Sequence, residues 1–291
     1  MVGKIGRIIF IITLPMVVIL TATEVSFSKS AGFSTISQTT GTAPPAPKLH
    51  SAVALVADQE TGEWLIQKKA DTVLPIASIT KLMTAMVVLD ADSDLEEDIT
   101  IEKEDLLGLR RRIRNLVPAG TRMTRRDALL LSLMASDNRC ARALARTYPG
   151  GMTAFVEAMN AKAESLGLNE THFTEPTGLS IQNVSSARDL AQLVNIAYQY
   201  DLIREFSTRK SATINIGQRS VFFHNTNRLV QNPRWQIGLS KTGYIGASGR
   251  CLVMQAEIAQ RSLIIILLDS YGKLTRIGDA NRIRQWLERL S

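Results

Sequence analysis

Cysteine and histidine are scarce, two and three respectively in 291 residues. Neither type is clustered, which leaves no zinc ribbon, cysteine-rich scaffold or multi-histidine metal centre. A histidine-based hydrolase would have to use His50, His172 or His224, yet no GxSxG elbow supplies a nucleophile for them. They read as structural or exposed residues. Acidic residues are also in deficit, 27 Asp and Glu against 34 Lys and Arg, for a formal charge of +7 and a pI of about 9.6. That surplus comes with no nucleic-acid motif, so it gives no reason to expect a nucleic-acid partner. Long apolar runs are missing except at the start, and no internal repeat is present. At 45% apolar and 21% charged residues, the chain has ordinary globular composition and enough apolar side chains for a large core.

The early apolar run, Ile8 to Leu20, follows Lys4 and Arg7 and is interrupted by Pro15. It is short for a membrane span and has the charged and apolar regions of a secretory leader. Residues 1–30 therefore read as a signal peptide, with export to the periplasm and at most loose membrane association. Residues 31–48, rich in Ser, Thr, Gly, Ala and Pro, read as a flexible linker. Residues 49–291 form the folded domain. In an exported chain Cys140 and Cys251 are either one disulfide or two buried thiols, and spacing does not decide between them.

Within the domain, β-rich runs at 51–57 and 63–69 flank a turn ending in Gly62, and a helix is expected over 76–89. The stretch 90–105 then holds nine acidic residues, whereas 110–126 holds seven arginines and no acid. This arginine block is either a solvated face balanced by the acids or an electrostatic guide for an anionic substrate. Further helices are expected over 124–135, 139–146, 152–166 and 187–200, the first capped by Thr124. Strands follow at 212–216, 221–224, 238–245, 250–258 and 263–268, the last apolar enough to be buried on both faces. A closing helix over 277–290 packs Ile283, Trp286, Leu287 and Leu290 into the core. Strands at both ends with helices between them predict an α+β fold: an antiparallel sheet of about five strands flanked by helices, bracketing an all-helical lobe.

Three short motifs carry chemistry. Ser78-Ile-Thr-Lys81 starts a predicted helix, and its spacing puts a hydroxyl and an amine on one face, about one turn apart. Serine needs a base to become a nucleophile, and lysine serves only when neutral, a state favoured by burial and a helix N-terminus. Ser136-Asp-Asn138 breaks the chain between two helices, where such residues also act as plain caps. Lys241-Thr242-Gly243 lies in a strand, where glycine is weakening unless something approaches the backbone closely, such as a peptide adding to the strand edge. The three in this order and these contexts match the SxxK, SDN and KTG set of penicillin-binding proteins and class A β-lactamases.

Leu74 to Met86, Tyr148-Pro-Gly-Gly151, Met159 to Ala163, Glu175-Pro-Thr-Gly-Leu179 and Lys241-Thr-Gly-Tyr244 extend the likeness over roughly 51–290. The chain resembles the low-molecular-mass penicillin-binding proteins of the serine DD-peptidase and β-lactamase superfamily, and among them the D-alanyl-D-alanine endopeptidases. That resemblance implies a DD-peptidase domain in which Ser78 is acylated, Lys81 is the base and Ser136 passes a proton to the leaving amine. Asn138 would bind the substrate backbone, Lys241 and Thr242 the substrate carboxylate, and the amides of Ser78 and Tyr244 the oxyanion, with Gly243 letting the substrate approach. It implies no cofactor or metal. Expected partners are peptidoglycan stem peptides and their cross-links, with β-lactams as covalent inhibitors. The runner-up activity is a D-alanyl-D-alanine carboxypeptidase. A β-lactamase would need a Glu-x-x-Leu-Asn run, which Glu164 to Asn169 misses by one residue, and a silent peptidoglycan-binding protein is at odds with an intact set of nucleophilic residues.

Overall fold

The computed structural model describes residues 45–108 and 117–290. The expected signal peptide, most of the expected linker and four arginines of the block (Arg110, Arg111, Arg112 and Arg114) lie outside the described residues.

In chain order the elements begin with strands β1 (Val53–Asp58), β2 (Trp64–Lys68) and β3 (Leu74–Pro75), a single 3₁₀ turn at Ala77–Thr80, helix α1 (Lys81–Asp90) and strand β4 (Asp98–Thr100). Strand β5 (Arg122–Thr124) leads into α2 (Arg125–Met134), α3 (Asn138–Arg146) and α4 (Gly151–Ser165). Then come β6 (Val184–Ser185), α5 (Ala187–Ala197), α6 (Asp201–Thr208), β7 (Ser211–Ile216) and β8 (Arg219–His224). Strands β9 (Gln236–Ile245), β10 (Gly249–Ile258) and β11 (Arg261–Ser270) and helix α7 (Thr275–Leu287) close the domain.

Five strands form one antiparallel sheet in the order β2-β1-β11-β10-β9. The apolar run of β11 occupies its centre, and the period-two alternation of side chains explains why every residue of that run is apolar. Ile264, Ile266 and Leu268 join the core beneath the helical lobe, while Leu263, Ile265 and Leu267 join a second core against Ile283, Trp286 and Leu287 of α7. Fully burying each such side chain contributes about 1.5–3 kcal/mol. Leu290, expected in that core, is partly exposed beyond the end of α7.

The lobe between the terminal strands is not wholly helical. It carries three two-stranded ribbons, β3-β6, β4-β5 and β7-β8. The β4-β5 ribbon pairs Asp98 with Thr124 and Thr100 with Arg122, bringing the acidic stretch onto the arginine block. One helix is absent from the sequence-based expectations. The expected 187–200 helix ends at Ala197, and α6, for which no element is expected, follows with Ile203 and Phe206 buried, so the apolar spacing after Asp201 is the missed signal. Thr124 does cap α2, accepting from the Asp127 amide at 3.1 Å.

Helix α1 is apolar nearly all round and buried from Lys81 to Val88, as expected of a helix at the centre of a lobe. Its first residue, a lysine, is therefore carried into the interior with the rest of the helix.

Candidate active site

Ser78 lies in the 3₁₀ turn that precedes α1, next to Ala77, whose φ of +48° is in the left-handed region. Ser136, in the link between α2 and α3, has a φ of +58°. Non-glycine residues held there store strain of order 1–3 kcal/mol, which persists only where surrounding contacts fix the backbone. Here they do. Gly178, itself at φ +80°, packs so closely that a Cβ on it would lie 1.8 Å from the Ala77 carbonyl oxygen.

Lys81 is fully buried, and its Nζ has three neighbours: Ser78 Oγ at 3.0 Å, Asn138 Oδ1 at 2.6 Å and the Thr177 carbonyl at 2.6 Å. The last two are pure acceptors. A neutral amine that gives its two N–H bonds to them has its lone pair left for the Ser78 hydroxyl, which is the arrangement a general base needs. Burial pulls the Lys81 pKa down to about 8, against the opposing pull of the Glu175 and Asp137 carboxylates.

The Thr177 carbonyl is held by its own loop. Glu175 accepts from the Thr177 amide at 2.8 Å and hydroxyl at 2.5 Å, and from the amides of Gly178 at 2.5 Å and Leu179 at 2.8 Å. Asn183 ties this loop to the 3₁₀ turn, its Nδ2 donating to the Glu175 carbonyl at 2.7 Å and to Thr80 Oγ1 at 3.1 Å. Sequence reasoning quoted Glu175 to Leu179 for likeness alone and gave the loop no part in the site. The contact that matters is a backbone oxygen, which no side-chain pattern announces.

On the other wall, Lys241 of β9 is also buried and places its Nζ 2.9 Å from Ser136 Oγ and 3.1 Å from the Thr242 carbonyl. Its pKa is pushed well below the ordinary lysine value, first by burial and then by Lys81 and Arg276 nearby. Thr242 Oγ1 donates to Thr226 Oγ1 at 2.8 Å. A Cβ on Gly243 would lie 2.9 Å from the Ile76 carbonyl oxygen and 3.1 Å from the Ser78 amide nitrogen, so β9 can pass this close to the serine turn only with glycine there.

Strand β9 is the edge of the sheet. The Ser240 amide turns away from β10 to donate to Ser207 Oγ on α6 at 3.2 Å, and by strand alternation Thr242 and Tyr244 present their backbone groups on that same open side. The Tyr244 side chain is exposed beside it.

The eight residues singled out from the sequence thus converge on one cleft. Ser78, Lys81 and Asn138 form one hydrogen-bonded group, Ser136 and Lys241 a second, and Thr242, Gly243 and Tyr244 the strand edge between them. Asp137, between Ser136 and Asn138, caps α3, accepting from the Arg139 amide at 2.8 Å, and is paired with the Arg139 guanidinium at 2.7 Å.

A family model described as D-alanyl-D-alanine carboxypeptidase matches residues 38–272. The chain belongs to that family. It is a serine peptidase. A D-alanyl-D-alanine endopeptidase of Pseudomonas aeruginosa is 47% identical over 84% of this chain and 79% of its own length. One of the same name from Escherichia coli strain K12 is 43% identical over 90% of this chain and 82% of its own. Among solved structures, the Streptomyces K15 DD-transpeptidase superposes with a TM-score of 0.77 at 28% identity, covering 84% of this chain and 98% of its own. The α+β architecture expected from the order of strands and helices is the fold of these peptidases.

Against that background the cysteines take their place as packing. Cys140 and Cys251 are free and buried, and burial raises both thiol pKa values, as befits inert core residues. All three histidines are exposed, His172 in a short bridge to Val184.

Proposed function

We propose that this protein is a serine DD-endopeptidase that hydrolyses D-alanyl cross-links between peptidoglycan stem peptides through an acyl-enzyme on Ser78. The observation that carries the reading is the buried Lys81 amine 3.0 Å from Ser78 Oγ, with both of its other neighbours acceptors.

Neutral Lys81 takes the Ser78 proton as Oγ attacks the D-alanyl carbonyl carbon. The oxyanion that forms lies between the Ser78 and Tyr244 amides, brought together by the close passage at Gly243. When the tetrahedral intermediate collapses, the C–N bond breaks and Ser136, whose hydroxyl is hydrogen-bonded to Lys241, relays the proton held by Lys81 to the departing amine of the second stem, which leaves Lys81 neutral and Ser136 protonated again. Water then gives a proton to neutral Lys81 and adds to the Ser78 ester, the ester C–O bond breaks, and Ser78 takes that proton back as the acid leaves. Asn138 gives its oxygen to Lys81, leaving its amide N–H groups to meet the substrate backbone. Thr242 holds the carboxylate beside the scissile bond, and the substrate strand extends along the open edge of β9. β-Lactams acylate the same serine.

Export by the leader at 1–30 would place the mature protein in the periplasm, around its substrate. Among the described residues no helix is long and apolar enough to cross a membrane.

The endopeptidase reading rests on the relatives of that name at 43–47% identity, while the family description favours a carboxypeptidase as the second reading. Competition between a purified cross-linked muropeptide dimer and a monomeric pentapeptide stem tests the choice. Faster splitting of the dimer is expected, and faster trimming of the pentapeptide would replace the first reading with the second.

A further inference from the structure

A cavity of about 330 Å³ lies on the α7 side of the sheet, lined by Thr226, Arg228, Arg250, Lys273 and Arg276 among others. Its link to the catalytic strand is direct. Thr226 is the hydroxyl bonded to Thr242, and Arg276 donates to the Gly243 carbonyl at 2.8 Å and to the Cys251 carbonyl at 2.8 Å. Four cations line this one cavity, and among the described residues none forms a salt bridge. Arg250 is held over the exposed Tyr244 ring, with Cζ 4.2 Å from its centre. The Nε atoms of Arg250 and Arg276 are buried without a hydrogen-bond partner.

Holding cations together without acids works against folding, and unpartnered buried donors add to that penalty. An anion in the cavity relieves both. Given the endopeptidase reading, the chemistry names the anion. The leaving group of a cross-link is a whole stem peptide bearing further free carboxylates, whereas the leaving group of a carboxypeptidase is one amino acid. Because Thr242 holds the carboxylate beside the scissile bond, a cavity opening past Thr226 lies on the leaving-group side.

We propose that Arg228, Arg250 and Lys273 form a second carboxylate subsite for the leaving stem of the cross-link, distinct from the contact at Thr242, and that this subsite makes the enzyme prefer cross-links to simple D-Ala-D-Ala ends. The inference rests on the endopeptidase reading. Binding energy gained there, away from the reacting bond, favours the dimer alone. Arg250 is positioned by its stack on Tyr244, while Arg228 and Lys273 carry no such duty, so they can be neutralised without disturbing the catalytic strand.

The test compares the full-length wild type with Arg228→Gln/Lys273→Gln on three probes: a cross-linked muropeptide dimer, a monomeric pentapeptide stem, and acylation by benzylpenicillin. The expected result is a loss of about tenfold or more in kcat/KM on the dimer, carried mainly by KM, with pentapeptide trimming and penicillin acylation within about twofold. A dimer whose leaving-stem carboxylates are amidated, all but the one beside the scissile bond, should lose the same factor with the wild type and nothing more with the variant. Unchanged dimer cleavage by the variant, or an equal fall on all three probes, overturns the subsite and leaves the endopeptidase reading standing. A wild type that is acylated by penicillin but leaves the dimer intact overturns the endopeptidase reading itself, and the subsite with it. Retained penicillin acylation shows that the variant is folded.

Discussion

Positive charge is handled in opposite ways in the helical lobe and in the cleft. Around β5 and the helices that follow, Arg122 meets Asp98, Arg125 meets Glu97, Arg126 meets Glu96, Arg139 meets Asp137 and Arg146 meets Asp105. In the cleft and the cavity beside it, Lys81, Lys241, Arg228, Arg250, Lys273 and Arg276 form no salt bridge with any described carboxylate. A paired cation has its field largely consumed by its partner. An unpaired one keeps it for the substrate, or sheds a proton and becomes a base. Charge that is balanced locally builds the protein, and charge left unbalanced does its chemistry.

The sharpest way to break this contrast is at Lys81. Lys81→Arg should lower penicillin acylation by about 10³-fold or more, because a guanidinium does not deprotonate in proteins, and Ser78→Ala should abolish labelling with the fold intact. Fluorescent penicillin labelling alongside circular dichroism checks both, and near-normal acylation of the arginine variant would remove Lys81 as the base.

The pH profile is the next largest effect. Acylation needs neutral Lys81, so its rate should climb as pH rises through about 8 and fall to about one tenth of its plateau one pH unit below. The same shift acts on stability. The folded protein binds fewer protons at Lys81 than the unfolded chain between pH about 8 and the ordinary value of 10.5, so this residue's destabilising contribution, about 3 kcal/mol, is fully present below 8 and is relieved as pH rises towards 10.5. Stopped-flow acylation and denaturant melts across pH 6–11 would measure the two, and a rate that does not vary with pH would count against a titrating base.

Arg125 sharpens the other side. It is 4% exposed and also donates to Thr147 at 2.9 Å, so Arg125→Gln should lower stability by about 1–3 kcal/mol and leave acylation unchanged. Arg122 and Asp98 are both largely exposed, and Arg122→Gln should change stability by less than about 1 kcal/mol. Urea denaturation separates the pair. An acylation defect in either variant would mean that the lobe's arginines also serve the cleft.

This contrast was only half legible in the sequence. The arginine block drew attention because its charges are consecutive, and the ribbon that turns the acidic stretch onto it is made by two three-residue strands too short to announce themselves. The cations that line the cavity come from three separated segments, Lys273 and Arg276 sharing one, and meet only in the folded chain. What could be read ahead was local: a serine and lysine one turn apart, a central strand apolar on both faces, and a strand glycine that something must approach closely, although the neighbour expected was a substrate peptide and the structure adds the serine turn. What could not be read was any feature depending on a backbone atom from a distant loop, as with Thr177 and Lys81, and the short helix α6 was missed although its apolar spacing was there.

The order of strands in the sheet also bears on how the protein is made. Strand β1 forms its ladder with β11, Leu55 facing Ile266, so an early segment of the chain finds one of its neighbours only near the far end. Such distant pairing makes folding slow and leaves strand edges open while it waits. During synthesis, β1 and β2 must emerge as a hairpin without a sheet to join. The turn that carries Ser78 follows them after about ten residues, yet the edge strand β9 that completes its cleft arrives more than a hundred residues later. No partly emerged chain can therefore assemble the cleft, and acylating activity should appear only once the C-terminal strands are in place.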